Sequence, residues 1–280
     1  MPELPEVETI KLGLQKYLVG HKILDIDVRD QKIFKGDKKN IINAKVIDVK
    51  RVGKGLIIEF DNDYVLAIHV KLTGQLIYRG RETENIEVSK EKVGSLPSKF
   101  THVIFNLDHG ANLYYNDIRR FGWIKVIQKE ELKNLPFFKE MGPEPFKDLT
   151  LDKFKKAIQS SNIPIKVLLM DQKKIGGVGN IYANDALFNA GIDPRRKAKT
   201  LSESEIEELY NSVLKVLEKG LEKGGASELT YVNALGQTGG YQNHFLVYGR
   251  EEERCLRCGG EIKKIKLGGR GTYFCPSCQK

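Results

Sequence analysis

From Met1 through Arg254 the 280-residue chain has no cysteine; all four fall within the last 26 residues. No disulfide framework can therefore hold the body of the protein together. There is also no long apolar run, and the first helix-like segment is amphipathic and acidic at its start. Neither a membrane span nor a secretory signal is expected, which places the chain in the cytoplasm. No internal repeat or low-complexity tract is present. Acidic residues are the minority charge, 37 against 46 Lys and Arg, for a net +9. That excess favours a polyanionic partner without naming one, since many basic proteins bind no nucleic acid. At 40% hydrophobic residues the length suffices for two domains and a substantial core.

The opening residues, Met1-Pro2-Glu3-Leu4-Pro5-Glu6-Val7-Glu8, carry an unusual possibility. Removal of Met1, which a small second residue permits, leaves Pro2 as a terminal secondary amine. An α-amino group titrates near ~8, so a useful fraction is unprotonated at neutral pH. Its attack on a sugar carbon gives an iminium that has no nitrogen proton left to lose, and so acts as an electron sink. Glu3, beside that nitrogen, can donate a proton and later accept one where burial or nearby charge favours its protonated form. Pro5 reads as the first helical position, and Val7, Ile10, Leu14 and Leu18 recur on one helical face that would pin the terminus to a core. The plain alternative is a capped helix start with a frayed leader.

After Gly20 come short alternating runs: Leu24 to Val28, Val46 to Val52, Leu56 to Phe60, Tyr64 to Val70 and Gln75 to Tyr78. His102 to Leu107, Leu113 to Tyr115 and Trp123 to Ile127 continue them. At least seven strands without intervening helices predict a sandwich or barrel. The polar stretch Glu82 to Lys99 reads as a surface loop. Within this region Lys54 lies between two glycines, His69 and Lys71 precede a Leu72-Thr73-Gly74 turn, and Asn116 to Gly122 places two arginines and Phe121 at a loop tip. Taken singly each residue fits ordinary surface, and His69 fits a satisfied core histidine. Together, an apolar wedge, an arginine and a phenylalanine on loops match the set that enters a duplex and fills the space of an extruded base.

Helical periodicity takes over after a linker at Met141 to Pro145. Leu151, Phe154 and Ile158 mark one helix and Ile165 to Met170 another. A glycine turn, Gly176-Gly177-Val178-Gly179, then leads into a helix beginning at Asn180. Glycines before a helix start free backbone amides to meet a phosphate, with Asn180 adding a donor. No strand precedes the turn and no lysine-serine pair follows it, which excludes Rossmann and P-loop readings. Ser202-x-x-Glu205 is a capping box opening a long helix with the stripe Ile206, Leu209, Val213, Leu217 and Leu221. Ala226 to Tyr248 lacks periodicity and reads as a functional lid. In the tail, Cys255-x-x-Cys258 and Cys275-x-x-Cys278 have the spacing of a closed, four-thiolate structural zinc site, with two disulfides as the alternative. Between the pairs, Leu267-Gly268-Gly269-Arg270 would be a hairpin turn that presents Arg270 to phosphates.

Over nearly its whole length the chain resembles the bacterial formamidopyrimidine-DNA glycosylases. The resemblance is carried by Pro2 to Glu8, by Gly177-Val178-Gly179-Asn180-Ile181-Tyr182-Ala183, and by Val247-Tyr248-Gly249-Arg250 leading into the cysteine motif. It implies an α+β, two-domain protein: an N-terminal β-sandwich with a flanking N-terminal helix, then a helix-two-turns-helix module plus a four-cysteine zinc finger. The implied divisions are 1–130 for the catalytic sandwich, 131–149 for a linker, 150–225 for the helical module, 226–250 for a lesion-capping loop and connection, and 251–280 for the finger. It implies excision of 8-oxoguanine and formamidopyrimidines through a Pro2 Schiff base, followed by β,δ-elimination. Glu3 protonates the sugar, Lys54 serves β-elimination and Arg270 δ-elimination. Leu72, His102, Arg119, Phe121, Lys166 and Asn180 contact DNA, and Cys255, Cys258, Cys275 and Cys278 hold one structural Zn2+. The implied partner is double-stranded DNA bearing oxidised purines or abasic sites, bound by a monomer that works at no membrane. Leu72 stands where many members have methionine, Ile118 where proline is usual and Asp185 where glutamate is usual. Two other readings stay open: the sister class resembling endonuclease VIII, which acts on oxidised pyrimidines, and a noncatalytic zinc-ribbon DNA-binding protein.

Overall fold

The computed structural model describes all of Met1–Lys280 and divides it into two compact units. The first comprises Met1–Lys139 and Leu221–Gln242, the second Glu140–Gly220 and Asn243–Lys280.

Helix α1 (Leu4–Tyr17) opens the first unit and is followed by nine strands: β1 (Ile23–Val28), β2 (Phe34–Lys35), β3 (Val46–Val52), β4 (Gly55–Phe60), β5 (Tyr64–His69), β6 (Gly74–Arg79), β7 (Thr101–Leu107), β8 (Asn112–Asp117) and β9 (Trp123–Gln128). A one-turn helix, α2 (Pro136–Lys139), follows. One sheet has the order β1-β7-β8-β6, the other β2-β9-β5-β4-β3. All neighbours run antiparallel except β2 and β9. Residues from both sheets form one core, with Leu56, Ile58, Leu66 and Ile68 of one meeting Leu76, Val103, Phe105 and Tyr115 of the other. This is the sandwich that the alternating runs predict, with the apolar face of each strand turned inward.

The predicted stripe of α1 is wholly buried: Val7, Ile10 and Leu14, with Leu18 just past the helix end, all join that core. Burying each such side chain contributes roughly 1.5–3 kcal/mol, so the terminus is well anchored. Glu3 is the N-cap, which makes Pro5 the second helical residue rather than the first. The stretch read as a polar surface loop, 82–99, is not free. Thr83 and Val93 are buried, and Val88, Val93 and Leu96 pack with Ile77 and Val232. Its valines are too widely spaced to show a strand or helix period, so the apolar anchor is invisible in the pattern.

The second unit holds α3 (Leu151–Gln159), α4 (Ile165–Leu169), α5 (Asn180–Asn189) and most of α6 (Glu203–Glu222), with a hairpin of β10 (Lys263–Leu267) and β11 (Arg270–Phe274). The capping box at Ser202 forms in both directions: Ser202 N–H donates to Glu205 Oε2 at 2.8 Å, and Glu205 N–H to Ser202 Oγ at 3.3 Å. The α6 stripe is buried at Ile206, Leu209, Val213 and Leu217. Met141 to Pro145, expected as a linker, is laced to the helical unit. Gly142 N–H donates to Gln172 O, and Gly176 N–H to Pro143 O. No helix is long and apolar enough to cross a membrane.

Candidate active site and nucleic-acid interface

Pro2 and Glu3 are both buried at the start of α1. A second carboxylate explains how they are held. Glu6, at the third helical position, accepts the Glu3 N–H through Oε2 at 2.7 Å and the Ala226 N–H through Oε1 at 2.8 Å. One buried side chain thus closes the helix start and ties it to the segment following α6. The terminal amine, carried by Met1, titrates below its ordinary value of 8.0. Burial is the main cause and Lys54 adds to it, while Glu3, Glu6 and Glu228 oppose. Charges predicted from separate motifs therefore converge on the chain terminus.

Lys54, in the β3–β4 turn, is 3% exposed, and its charge acts on His69 as well. His69 Nδ1 accepts the Lys71 N–H at 2.9 Å, and its ring meets Phe137 edge-on at 4.8 Å. Burial, with Lys71 and Lys54 adding, lowers its pKa from 6.5 to about 3. It is a neutral, satisfied core histidine.

Leu72 is half-buried on the turn into β6 rather than fully projecting, while Arg119 and Phe121 are exposed, with the guanidinium 4.7 Å above the phenyl ring. What joins these loops is Asp117, whose side chain is fully buried. Its Oδ1 accepts from the Thr73 hydroxyl and from Arg119 N–H at 3.2 Å; its Oδ2 accepts from Gly122 N–H at 2.8 Å. Thr73 Oγ1 accepts Arg119 N–H as well, at 3.0 Å. His102 Nε2 donates to the Asp117 carbonyl at 2.8 Å, so the four predicted residues share one support. Arg120 points away, onto Asp30 at 2.6 Å. Burial raises the Asp30 carboxyl, but the Lys32 N–H and the Arg120 guanidinium outweigh it and hold the carboxyl below its ordinary range. The loop is thus braced on both sides although Ile118 offers no proline ring. Asp117 could have been suspected from sequence, because aspartate commonly accepts from backbone amides in its own turn.

In the second unit the glycine turn before α5 is threaded by Gln172, which accepts Gly177 N–H at 3.0 Å and donates to Val178 O at 2.7 Å. Asn180 Nδ2 reaches Gly271 O at 3.2 Å. Lys166, expected as a DNA contact, is fully buried; its Nζ donates to Gly271 O at 2.9 Å and Thr272 Oγ1 at 2.7 Å. Asn184, which no motif singles out, accepts Tyr273 N–H at 2.8 Å and donates to Asn180 O at 2.6 Å. These groups of α4 and α5 fix the start of β11 and leave the Arg270 side chain exposed. The hairpin turn needs its glycines. Gly268 and Gly269 both have positive φ, 56° and 75°, as a two-residue primed turn requires, and a Cβ on Gly268 would lie 2.7 Å from Val167. Asp185 is buried and accepts Val247 N–H at 3.0 Å and Tyr248 N–H at 3.2 Å, so the shorter acid still anchors the chain into the finger.

The four cysteine sulfurs lie within 4.8 Å of one another, with Cys255–Cys278 at 3.8 Å and Cys258–Cys275 at 3.5 Å. A tetrahedral ion with bonds of about 2.3 Å sets its sulfurs about 3.8 Å apart. The spacing fits Zn2+ and is far too long for disulfides. The residues hold one structural zinc.

Three family models match in succession: the formamidopyrimidine-DNA glycosylase N-terminal domain at residues 1–124, the H2TH domain of the same enzymes at 141–231, and the zinc finger found in FPG and IleRS at 252–280. A formamidopyrimidine-DNA glycosylase of Pelotomaculum thermopropionicum is 40% identical, over 100% of this chain and 99% of that protein. The chain belongs to the formamidopyrimidine-DNA glycosylase family. It is a base-excision-repair enzyme, a DNA glycosylase with AP lyase activity. Among solved structures, a Lactococcus lactis FPG mutant in complex with Fapy-dG-containing DNA superposes with a TM-score of 0.88 at 34% identity, covering 100% of both chains. The Lactococcus lactis Fpg bound to DNA with an abasic site has a TM-score of 0.87 at 34% identity, covering 99% of each.

Proposed function

We propose that Pro2, freed by loss of Met1, is the nucleophile, and that the substrate is duplex DNA bearing 8-oxoguanine, a formamidopyrimidine or an abasic site. The observation that carries the reading is the terminus itself: a buried Pro2 next to a buried Glu3, clamped by Glu6 and facing the charge of Lys54. With Met1 in place the Pro2 nitrogen is an amide and has no lone pair to give. Once freed, it attacks C1′; the C1′–N bond to the base breaks, and Glu3 supplies a proton as the sugar ring opens. The resulting iminium acidifies C2′. Loss of that proton expels the 3′ phosphate, with Lys54 in the lysine role for this elimination, and a second elimination, with loss of the C4′ proton, releases the 5′ phosphate, with Arg270 in the arginine role for this step. Leu72, Arg119 and Phe121 fill the gap left by the extruded nucleotide, and extrusion costs a few kcal/mol. His102, Asn180 and Lys166 are assigned to the DNA contacts, Lys166 through its hold on the finger.

The zinc supplies shape alone: four thiolates close its shell and leave no position for substrate. Residues 1–130 form the catalytic part, 150–225 and 251–280 the DNA-gripping parts, and 226–241 the cap over the lesion. The protein works as a monomer in the cytoplasm on nucleoid DNA. Borohydride trapping tests the reading: a covalent adduct on 8-oxoguanine duplex is expected, and none with Pro2→Gly or with Met1-retained protein. Adducts formed only with oxidised thymine would overturn the oxidised-purine substrate, and no adduct on any lesion would overturn Pro2 as the nucleophile.

A further inference from the structure

A buried polar chain runs across one sheet of the sandwich, from β7 through β8 to β6, and ends on the segment 226–241. Gln75 stands on β6, 4% exposed, paired in register with Asn116 on β8. Thr101 Oγ1 donates to Asn116 Oδ1 at 2.7 Å, and Asn116 Nδ2 donates to Gln75 Oε1 at 3.2 Å. With its oxygen so engaged, the Gln75 carboxamide has one orientation. Its Nε2 donates both hydrogens to backbone carbonyls, that of Thr230 at 2.7 Å and that of Lys92 at 2.9 Å. The stretch carrying Lys92 supports the same segment further along. Ser89 N–H donates to Gly236 O at 2.8 Å, and Val88 and Val93 pack with Val232. Gly236, at φ 78°, lies so close that a Cβ there would meet Val88 at 2.7 Å. Thr230 also carries the chain's one buried side-chain oxygen without a hydrogen-bond partner. Buried polar atoms without a partner are rare in folded proteins, so this one marks Thr230 as an unusual position.

We propose that Gln75 is a positioning residue for base recognition: it ties the Thr230 carbonyl to the sandwich and to the 82–99 stretch, and so sets the pose in which 226–241 covers an extruded base. The proposal rests on the reading of that segment as the lesion cap. A lesion that carries a base needs the cap, whereas an abasic site has no base to cover. Loss of Gln75 therefore changes the ratio of base excision to abasic-site cleavage, which a merely structural role would leave constant.

The test uses the full-length, zinc-loaded protein and Gln75→Met, which keeps the side-chain length and removes both N–H donors. Single-turnover excision from 8-oxoguanine duplex and cleavage of abasic-site duplex are measured side by side, with hydrogen exchange of the 226–241 amides. Excision is expected to fall about tenfold, the order of one or two net hydrogen bonds, with abasic cleavage within about twofold of wild type. Val88→Ala, a milder change to the same support, moves the ratio in the same direction and stands in if Gln75→Met does not fold. A parallel loss of both activities, or no change in either, overturns the proposal. If the wild-type amides of 226–241 gain no protection on lesion duplex beyond that on abasic duplex, the cap reading itself fails. If they do gain it and Gln75→Met excises normally, only the role of Gln75 fails.

Discussion

Acidification should weaken the first unit through His69, by an amount the structure permits to be worked out. The ring is 3% exposed, its Nδ1 is occupied by the Lys71 N–H, and its pKa falls to about 3 against an ordinary 6.5, chiefly because burial penalises the imidazolium. The folded value lies below the unfolded one, so as pH drops the unfolded chain takes up the proton first. The contribution is complete above the unfolded value and is lost progressively between pH 6.5 and pH 3. From pH 8 to pH 5 this amounts to about 2 kcal/mol, and below pH 3 to about 5 kcal/mol. The chain has five histidines, so the quantity to compare is a difference. Urea unfolding of wild type and His69→Phe at both pH values is followed by the fluorescence of Trp123, the one tryptophan, whose ring lies 6.0 Å from His69. The variant is less stable at pH 8 because Lys71 N–H loses its acceptor, but its loss between the two pH values should be smaller by about 2 kcal/mol, which narrows the gap at pH 5. Equal losses in the two proteins, or an NMR titration of His69 centred near its ordinary value, would refute the reasoning.

Removal of zinc by a chelator should unfold the finger and abolish binding to lesion duplex, because the four thiolates are what join the Cys255–Cys258 turn to the Cys275–Cys278 turn at the base of the hairpin; a stripped protein that binds at full affinity contradicts this. Asp117→Asn turns an amide toward Gly122 N–H and should cost about 2–4 kcal/mol in unfolding free energy. It should also slow excision from duplex by freeing the turns that carry Leu72, Arg119 and Phe121; unchanged excision would remove Asp117 from the supporting set. Asn184→Ala orphans Tyr273 N–H, at a cost of about 1–3 kcal/mol. Faster amide exchange at 270–273 is expected, together with δ-elimination slowed more than base excision; equal slowing of both steps would make Asn184 a general stability residue.

Where a feature depends on neighbours in the chain, the sequence alone determined it. The α1 stripe, the Ser202–Glu205 capping box, the Gly268–Gly269 turn and the paired cysteines are set by helical period, backbone freedom and ligand spacing, and each can be read within some two dozen residues. The terminal Pro2-Glu3 pair was legible in the same way. The tertiary structure alone decided which polar residues act through others. Gln75 meets Thr230 155 residues away, and Lys166 meets Gly271 105 residues away. In a string of letters a glutamine or lysine looks the same whether it faces water or two carbonyls. Folding distinguishes them, because a donor taken out of water must find an acceptor, and the nearest one belongs to a distant part of the chain.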